Sequence, residues 1–140
     1  MSYSLSFSQA IIVVVYIADK VQQGMYDFVP AKQISKSLNL ANPSLVKILQ
    51  SLNKAGIIET REGAKGGVRL GINPDKVTIL DIFNAIEYQR PLFQPHQRIN
   101  AKGERPTRAQ QGILDILNDA ESSMKDSLKN VTIADLLKKL

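Results

Sequence analysis

The chain has 140 residues, with 18 basic against 13 acidic side chains for a net +5, and 44% apolar and 22% charged residues, an ordinary balance for one folded domain. It has no cysteine and one histidine, His96. That excludes disulfides, thiolate-held zinc or iron–sulfur sites, cysteine nucleophiles and any centre built on several histidines. No stretch of about 20 predominantly apolar residues is evident and no basic segment precedes the first apolar run, so neither a membrane span nor a secretory leader is expected; a cytoplasmic protein is.

Residues Leu5 to Gln22 read as a helix, with Phe7, Ile11, Val14, Val15, Ala18 and Val21 forming an apolar stripe. Ile12 and Tyr16 make a second apolar side, and a helix apolar on two sides needs two neighbours. After a loop at 23–27, Pro30 opens a short helix from Ala31 to Leu38 with Ile34 and Leu38 as core contacts. A three-residue connector leads to Asn42, expected as an N-cap, with Pro43 at the first helical position and Gly56 beyond the end. Two short helices joined by a tight turn make a helix-turn-helix.

The second of these helices carries two stripes. Leu45, Ile48, Leu49 and Leu52 are spaced to face a core, whereas Ser44, Lys47, Ser51 and Lys54 share the opposite side. Small hydroxyls and long cations without an intervening carboxylate suit a phosphate-lined groove. A hairpin follows, Ile58 and Thr60 on one arm and Val68, Leu70 and Ile72 on the other, joined by Glu62-Gly63-Ala64-Lys65-Gly66-Gly67. Helix-turn-helix plus a basic, glycine-tipped hairpin is a winged helix, with Arg61, Lys65 and Arg69 lining the wing beside Gly66 and Gly67.

Thr78 with Asp81 reads as an approximate capping box for a helix ending near Glu87, with Leu80, Ile82, Phe83 and Ile86 as apolar contacts. Residues 89–107 hold Pro91, Pro95, Pro106 and Gly103 and read as a long loop, pinned by Leu92 and Phe93. Arg108 to Leu128 is a long amphipathic helix with Ala109, Ile113, Ile116, Leu117, Ala120, Met124 and Leu128 in one stripe. It is too long for one small core to cover, so a homodimer is expected, with Phe7, Ile11, Ile113, Leu117, Ala120 and Met124 at the interface; the alternative is that the first and the long helix both cap the winged-helix core of one subunit. Thr132 with Asp135 repeats the cap pattern before a last helix, Ile133 to Lys139. The fold class is therefore mainly α with a small β-hairpin: a winged helix-turn-helix plus a long C-terminal dimerisation helix. It divides into 1–88 (winged helix), 89–106 (loop) and 107–140 (dimerisation and C-terminal helices).

Charge is concentrated in the same region. From Pro30 to Lys76, eight basic residues (Lys32, Lys36, Lys47, Lys54, Arg61, Lys65, Arg69, Lys76) face three acidic ones (Glu59, Glu62, Asp75), which is +5 and the whole excess. A solvated basic face and a polyanion-binding face both fit that number. The glycine-rich segment is no phosphate loop, because it joins two strand-like arms rather than a strand and a helix. His96 stands without a nearby carboxylate and gives no proton-transfer pair, and no hydrolase arrangement is present, so an enzyme is not expected.

The run Ile34-Ser35, Leu45-Val46-x-x-Leu49-x-x-Leu52-x-x-Ala55-Gly56-Ile57-Ile58, then Gly63-Ala64-Lys65-Gly66-Gly67-Val68-Arg69-Leu70, Pro74, and Thr78-Ile79-Leu80-Asp81-Ile82 to Ala85-Ile86-Glu87 resembles the Rrf-two family of bacterial transcription regulators. The resemblance covers most of the chain. It implies a winged-helix domain binding double-stranded DNA, a long dimerisation helix and an intertwined homodimer; the function expected is that of a sequence-specific regulator, a repressor, on a pseudo-palindromic operator. Lys36, Ser44, Lys47, Ser51, Arg61, Lys65, Gly66, Gly67 and Arg69 are the expected DNA-binding residues. Cluster-binding members carry three cysteines in the loop that here runs from Arg90 to Pro106 and holds none, so no cofactor or metal is expected. Leu92, Phe93 and His96 instead resemble the loop of cluster-free members, so the signal is a protein partner or a small-molecule effector, or there is none. Val46 or Lys47 stands where a cluster-binding regulator has a recognition-helix glutamate. The alternative class is a winged-helix interaction module acting through a protein partner; an acidic recognition face would have favoured it.

Overall fold

The structure, a computed structural model, describes residues 5–88 and 90–140; Met1 to Ser4 and Gln89, with which the expected loop opens, lie outside them. Six helices and one hairpin follow in chain order: α1 (Leu5–Gln22), α2 (Ala31–Leu38), α3 (Asn42–Lys54), β1 (Ile58–Arg61), β2 (Gly67–Leu70), α4 (Ile79–Ile86), α5 (Glu104–Lys129) and α6 (Ile133–Leu137), with a 3₁₀ turn at Pro74–Lys76. This is the expected winged helix-turn-helix with a long C-terminal helix.

Helix α1 is the centre of the body and packs on α2, α3, α4, α6 and β2. Its buried residues are Ala10, Val13, Val14, Ile17 and Ala18, so the inward face is rotated from the expected stripe. A helix apolar on two sides carries no internal signal for which side goes deepest; its neighbours decide. By length and composition α1 also meets the criterion for a membrane-crossing helix, contrary to the expectation above. Core helices meet the same criterion, and this one has a face inside the core.

Two further local expectations shift. The N-cap of α3 is Ala41, without a side-chain cap bond, so Asn42 is the first helical residue and Pro43 the second, where its missing N–H still costs nothing. Gly56, at φ +77°, follows the C-cap Ala55 as expected. On the inner side Leu45, Ile48 and Leu52 are buried, whereas Leu49 is only half-buried.

The hairpin is antiparallel with Ile58 opposite Leu70, Glu59 opposite Arg69, Thr60 opposite Val68 and Arg61 opposite Gly67. Ile72 falls beyond β2 and is exposed, because the chain leaves the sheet for the 3₁₀ turn. Val29 adds a one-residue third strand: its N–H donates to Val68 O at 2.7 Å and its O accepts from Val68 N–H at 2.9 Å.

Both capping boxes form. Thr78 Oγ1 accepts from Asp81 N–H at 3.1 Å while Asp81 Oδ2 accepts from Thr78 N–H at 2.9 Å, and Thr132 with Asp135 repeats the same two distances. The starts of α4 and α6 are also bridged, Ile79 N–H to Val131 O and Ile133 N–H to Val77 O, each 2.9 Å. The Asp135 carboxyl is held below its ordinary value, chiefly by the Thr132 backbone N–H and then by the Thr132 hydroxyl. Helix α5 begins at Glu104, four residues before Arg108, with Pro106 in its first turn, where proline is tolerated. None of its 26 residues is buried.

Candidate nucleic-acid interface

The outward side of α3 is formed by Ser44, Lys47 and Lys54, all exposed, with Ser51 half-buried beside them. No carboxylate occurs on this helix. Pro43 and Gly56 bound it, and the burial of Leu45, Ile48 and Leu52 fixes which side faces outward. Lys36 is exposed in the last turn of α2 and Lys65 at the wing tip. Among the described residues, none of Lys36, Lys47, Lys54 and Lys65 has a carboxylate within ion-pair distance.

The wing arginines are placed differently from the lysines. The guanidinium carbons of Arg61 and Arg69 each lie 4.3 Å from the centroid of the Phe28 ring. Asp27 joins them, its Oδ1 3.0 Å from Arg69 Nη1 and its Oδ2 3.6 Å from Arg61 Nη1. Glu59, opposite Arg69 in the hairpin, accepts from Arg69 Nε, and Arg61 Nη2 donates to Lys65 O at 3.2 Å. The Glu59 hydrogen bond, more than the charge of either carboxylate, holds the Arg69 guanidinium above its ordinary value. Two cations and two carboxylates thus form a clasp of zero net charge around an aromatic ring. Gly66 and Gly67 have a steric role: a Cβ on Gly66 would lie 2.2 Å from Arg61 O, and one on Gly67 2.3 Å from Val29 O.

The expected interface and loop residues lie on α5, on α1 and in the loop between α4 and α5. On α5, Ile113 and Ile116 are 53% and 68% exposed, Ala120 is exposed, and Leu117 and Met124 are half-buried. On α1, Phe7 and Ile11 pack against the core of their own chain, and the Phe7 ring meets Phe83 edge-on at 5.2 Å. In the loop, Leu92 is half-buried and its N–H donates to Glu121 Oε1 at 2.6 Å, whereas Phe93 and His96 are exposed. His96 lines a recess of about 300 Å³ with Gln110, Ile113 and Leu114 of α5.

Sequence reasoning missed Asp27 and Phe28. Asp27 lies 42 residues from Arg69, one of the two arginines it pairs with. Only the Glu59–Arg69 pair, facing each other across a two-stranded ladder, had a local signal.

The profile of the Rrf2 family, described as "Iron-dependent Transcriptional regulator", matches residues 3–139. The chain belongs to the Rrf2 family. It is a DNA-binding transcription regulator rather than an enzyme, since that is what this family comprises. Among relatives, it is 28% identical to an HTH-type transcriptional regulator of Aquifex aeolicus, over 98% of this chain and 92% of that one. It is 27% identical to the HTH-type transcriptional regulator NsrR of Bacillus licheniformis, over 89% and 84%. The fold matches CymR, the global cysteine regulator of B. subtilis, with a TM-score of 0.69 at 22% identity over 100% of this chain and 98% of that one. It also matches T. potens IscR, with a TM-score of 0.70 at 20% identity over 99% and 88%. The iron in the family's description does not fit this member. The chain has no cysteine and one histidine, and no three His, Asp or Glu side chains among the described residues come together as a ligand set.

Proposed function

We propose that this Rrf2 regulator acts as a homodimer on a pseudo-palindromic operator and represses transcription, with α3 in the major groove and the wing beside it. The observation that carries this reading is the acid-free outer face of α3, where Ser44, Lys47 and Ser51 combine donors for base edges and phosphates. Lys36 and Lys65 extend the contact to the flanking backbone. Arg61 and Arg69 act through the clasp that shapes the wing, and Gly66 and Gly67 allow its tight tip. The segment 1–88 is the DNA-reading unit, 107–140 the dimerisation unit, and 89–106 the place where a signal enters. Leu92, Phe93 and His96 receive a small molecule or a protein partner there, with no iron involved. The site of action is the bacterial cytoplasm, where the chromosome is.

Selection of bound fragments from genomic DNA tests the reading. The expected product is a site with two inverted half-sites one helical turn, about 34 Å, apart. Lys36, Lys47, Lys54 and Lys65, counted twice in a dimer, give up to eight phosphate contacts, so affinity should fall about 10³- to 10⁴-fold between 50 and 200 mM salt. A selected site without inverted symmetry, or affinity indifferent to salt, overturns it.

A further inference from the structure

One side of the recognition helix opens onto a recess that the reading above leaves unused. Between α3, the first described turn of α1 and the segment after α4 lies a hollow of about 240 Å³, lined by Ser6, Lys47, Ile48, Ser51, Ile86 and Arg90. Its polar side chains are two hydroxyls, an ammonium and a guanidinium, and no carboxylate is among them. That donor set is the one that recognises a phosphate oxygen.

Arg90 is held ready for this. Its Nη1 lies 3.3 Å from Glu87 Oε2, and the Glu87 side chain is fully buried. Its backbone N–H donates to Glu87 O at 3.0 Å, so the turn that closes α4 fixes the residue. A guanidinium has five N–H donors, and a single ion pair with a buried carboxylate does not exhaust them, so a second anion can be held. The side chain is 55% exposed, so it is oriented from the inside yet open to solvent. Pre-orientation of this kind lowers the entropy lost when an anion arrives.

We propose that this recess seats a phosphate of the DNA backbone beside the groove that α3 reads, with Arg90 as its anchor, Lys47 sharing the charge, and Ser6 and Ser51 donating from either side. The occupant is a DNA phosphate because Lys47 and Ser51 belong to the outward side of the recognition helix itself. The inference rests on the DNA-facing assignment of α3.

The test is binding of the 140-residue chain to a random-sequence duplex, followed by fluorescence anisotropy across 50 to 200 mM KCl. The variants are Arg90→Gln, Arg90→Lys and Arg98→Ala. Gln keeps a polar side chain of similar length and removes the charge; Lys keeps the charge; Arg98 is an exposed loop arginine that does not line the recess. Arg90→Gln should flatten the log–log salt slope by about 0.9 for each subunit, while Arg90→Lys and Arg98→Ala keep the wild-type slope. A wild-type slope in Arg90→Gln, or an equal flattening in Arg98→Ala, overturns the phosphate seat while leaving the α3 reading in place. Wild-type protein that fails to bind the duplex even at 50 mM KCl overturns both.

Discussion

An aspartate at Ile116 tests the dimer most directly. Helix α5 has 26 residues, about 39 Å at 1.5 Å per residue, and none of them is buried within its own chain. Ile113 and Ile116 are 53% and 68% exposed, one turn apart on the same side. In a lone chain, Ile116→Asp replaces an exposed side chain and should change stability by no more than about 0.5 kcal/mol. In a two-fold dimer built on α5 the same substitution buries an unpaired charge, at about 3–5 kcal/mol. It occurs twice in an isologous interface, so the total is about 6–10 kcal/mol. At 1.4 kcal/mol per decade that weakens association by at least about four decades, enough to dissociate a nanomolar dimer at micromolar concentration. Light scattering should give twice 15.5 kDa for the wild type and 15.5 kDa for the variant, with the helical circular dichroism retained. A wild-type mass of 15.5 kDa, or a variant that keeps the doubled mass, refutes the reasoning.

Three further expectations concern single elements. Lys47→Ala should weaken operator binding with little change in melting temperature, whereas Leu52→Ala, at a fully buried position on the opposite side of α3, should cost about 2–5 kcal/mol of stability; chemical denaturation beside anisotropy separates them, and a Lys47→Ala variant that binds like wild type discards the groove assignment. Asp27→Asn removes one of the two carboxylates that neutralise Arg61 and Arg69, so low-salt affinity for random duplex should rise and its salt slope steepen; unchanged or weaker binding would mean that the clasp does not hold back the wing's charge. The Asp135 carboxyl is lowered in the folded state, so the stability it contributes is present above the unfolded value of about 3.9 and is lost as pH falls through its folded value. Asp135→Ala should therefore melt below wild type at pH 7, and the gap should close in acid; a gap of constant size from pH 7 down to pH 2 contradicts this.

What the sequence made legible was what lies close along the chain. The Thr78–Asp81 and Thr132–Asp135 boxes each need only four consecutive residues, and both formed as read. The boundaries of α1 and α2 and the presence of the hairpin were equally local. The misplacements share one physical cause, that a distant partner decides. The deepest side of α1 is chosen by α4, α6 and β2, and two apolar sides looked equivalent in sequence. Arg61 and Arg69 have the composition of a basic wing, yet Asp27 and Phe28, from the loop after α1, join Glu59 to make them a neutral cluster. The Val29–Val68 bridge explains why Gly67 must lack a side chain, and no short-range pattern announces it. The lysines were easier to read, because a cation with nothing to pair with stays on the surface where the charge pattern puts it.

The clasp changes where the protein's electrostatic pull originates. Of the eight basic residues between Pro30 and Lys76, two are arginines tied to Asp27 and Glu59, so the field a polyanion meets comes mainly from lysines on α2, α3 and the wing tip. Lysine acts as a point charge on a flexible stem and carries little geometric information. Discrimination between sequences then falls to the rigid elements that place α3. Helix α4 is the critical one: it packs on α1, α3 and α5 together, and the bridges Ile79–Val131 and Val77–Ile133 join its start to the chain that leaves α5. In the homodimer proposed here, the two-fold axis set by α5 reaches each recognition helix through α4. In such a dimer the spacing of the two α3 helices would be held by backbone hydrogen bonds and buried side chains such as Ile82, Phe83 and Ile133, while the lysines would supply attraction that any DNA sequence feels.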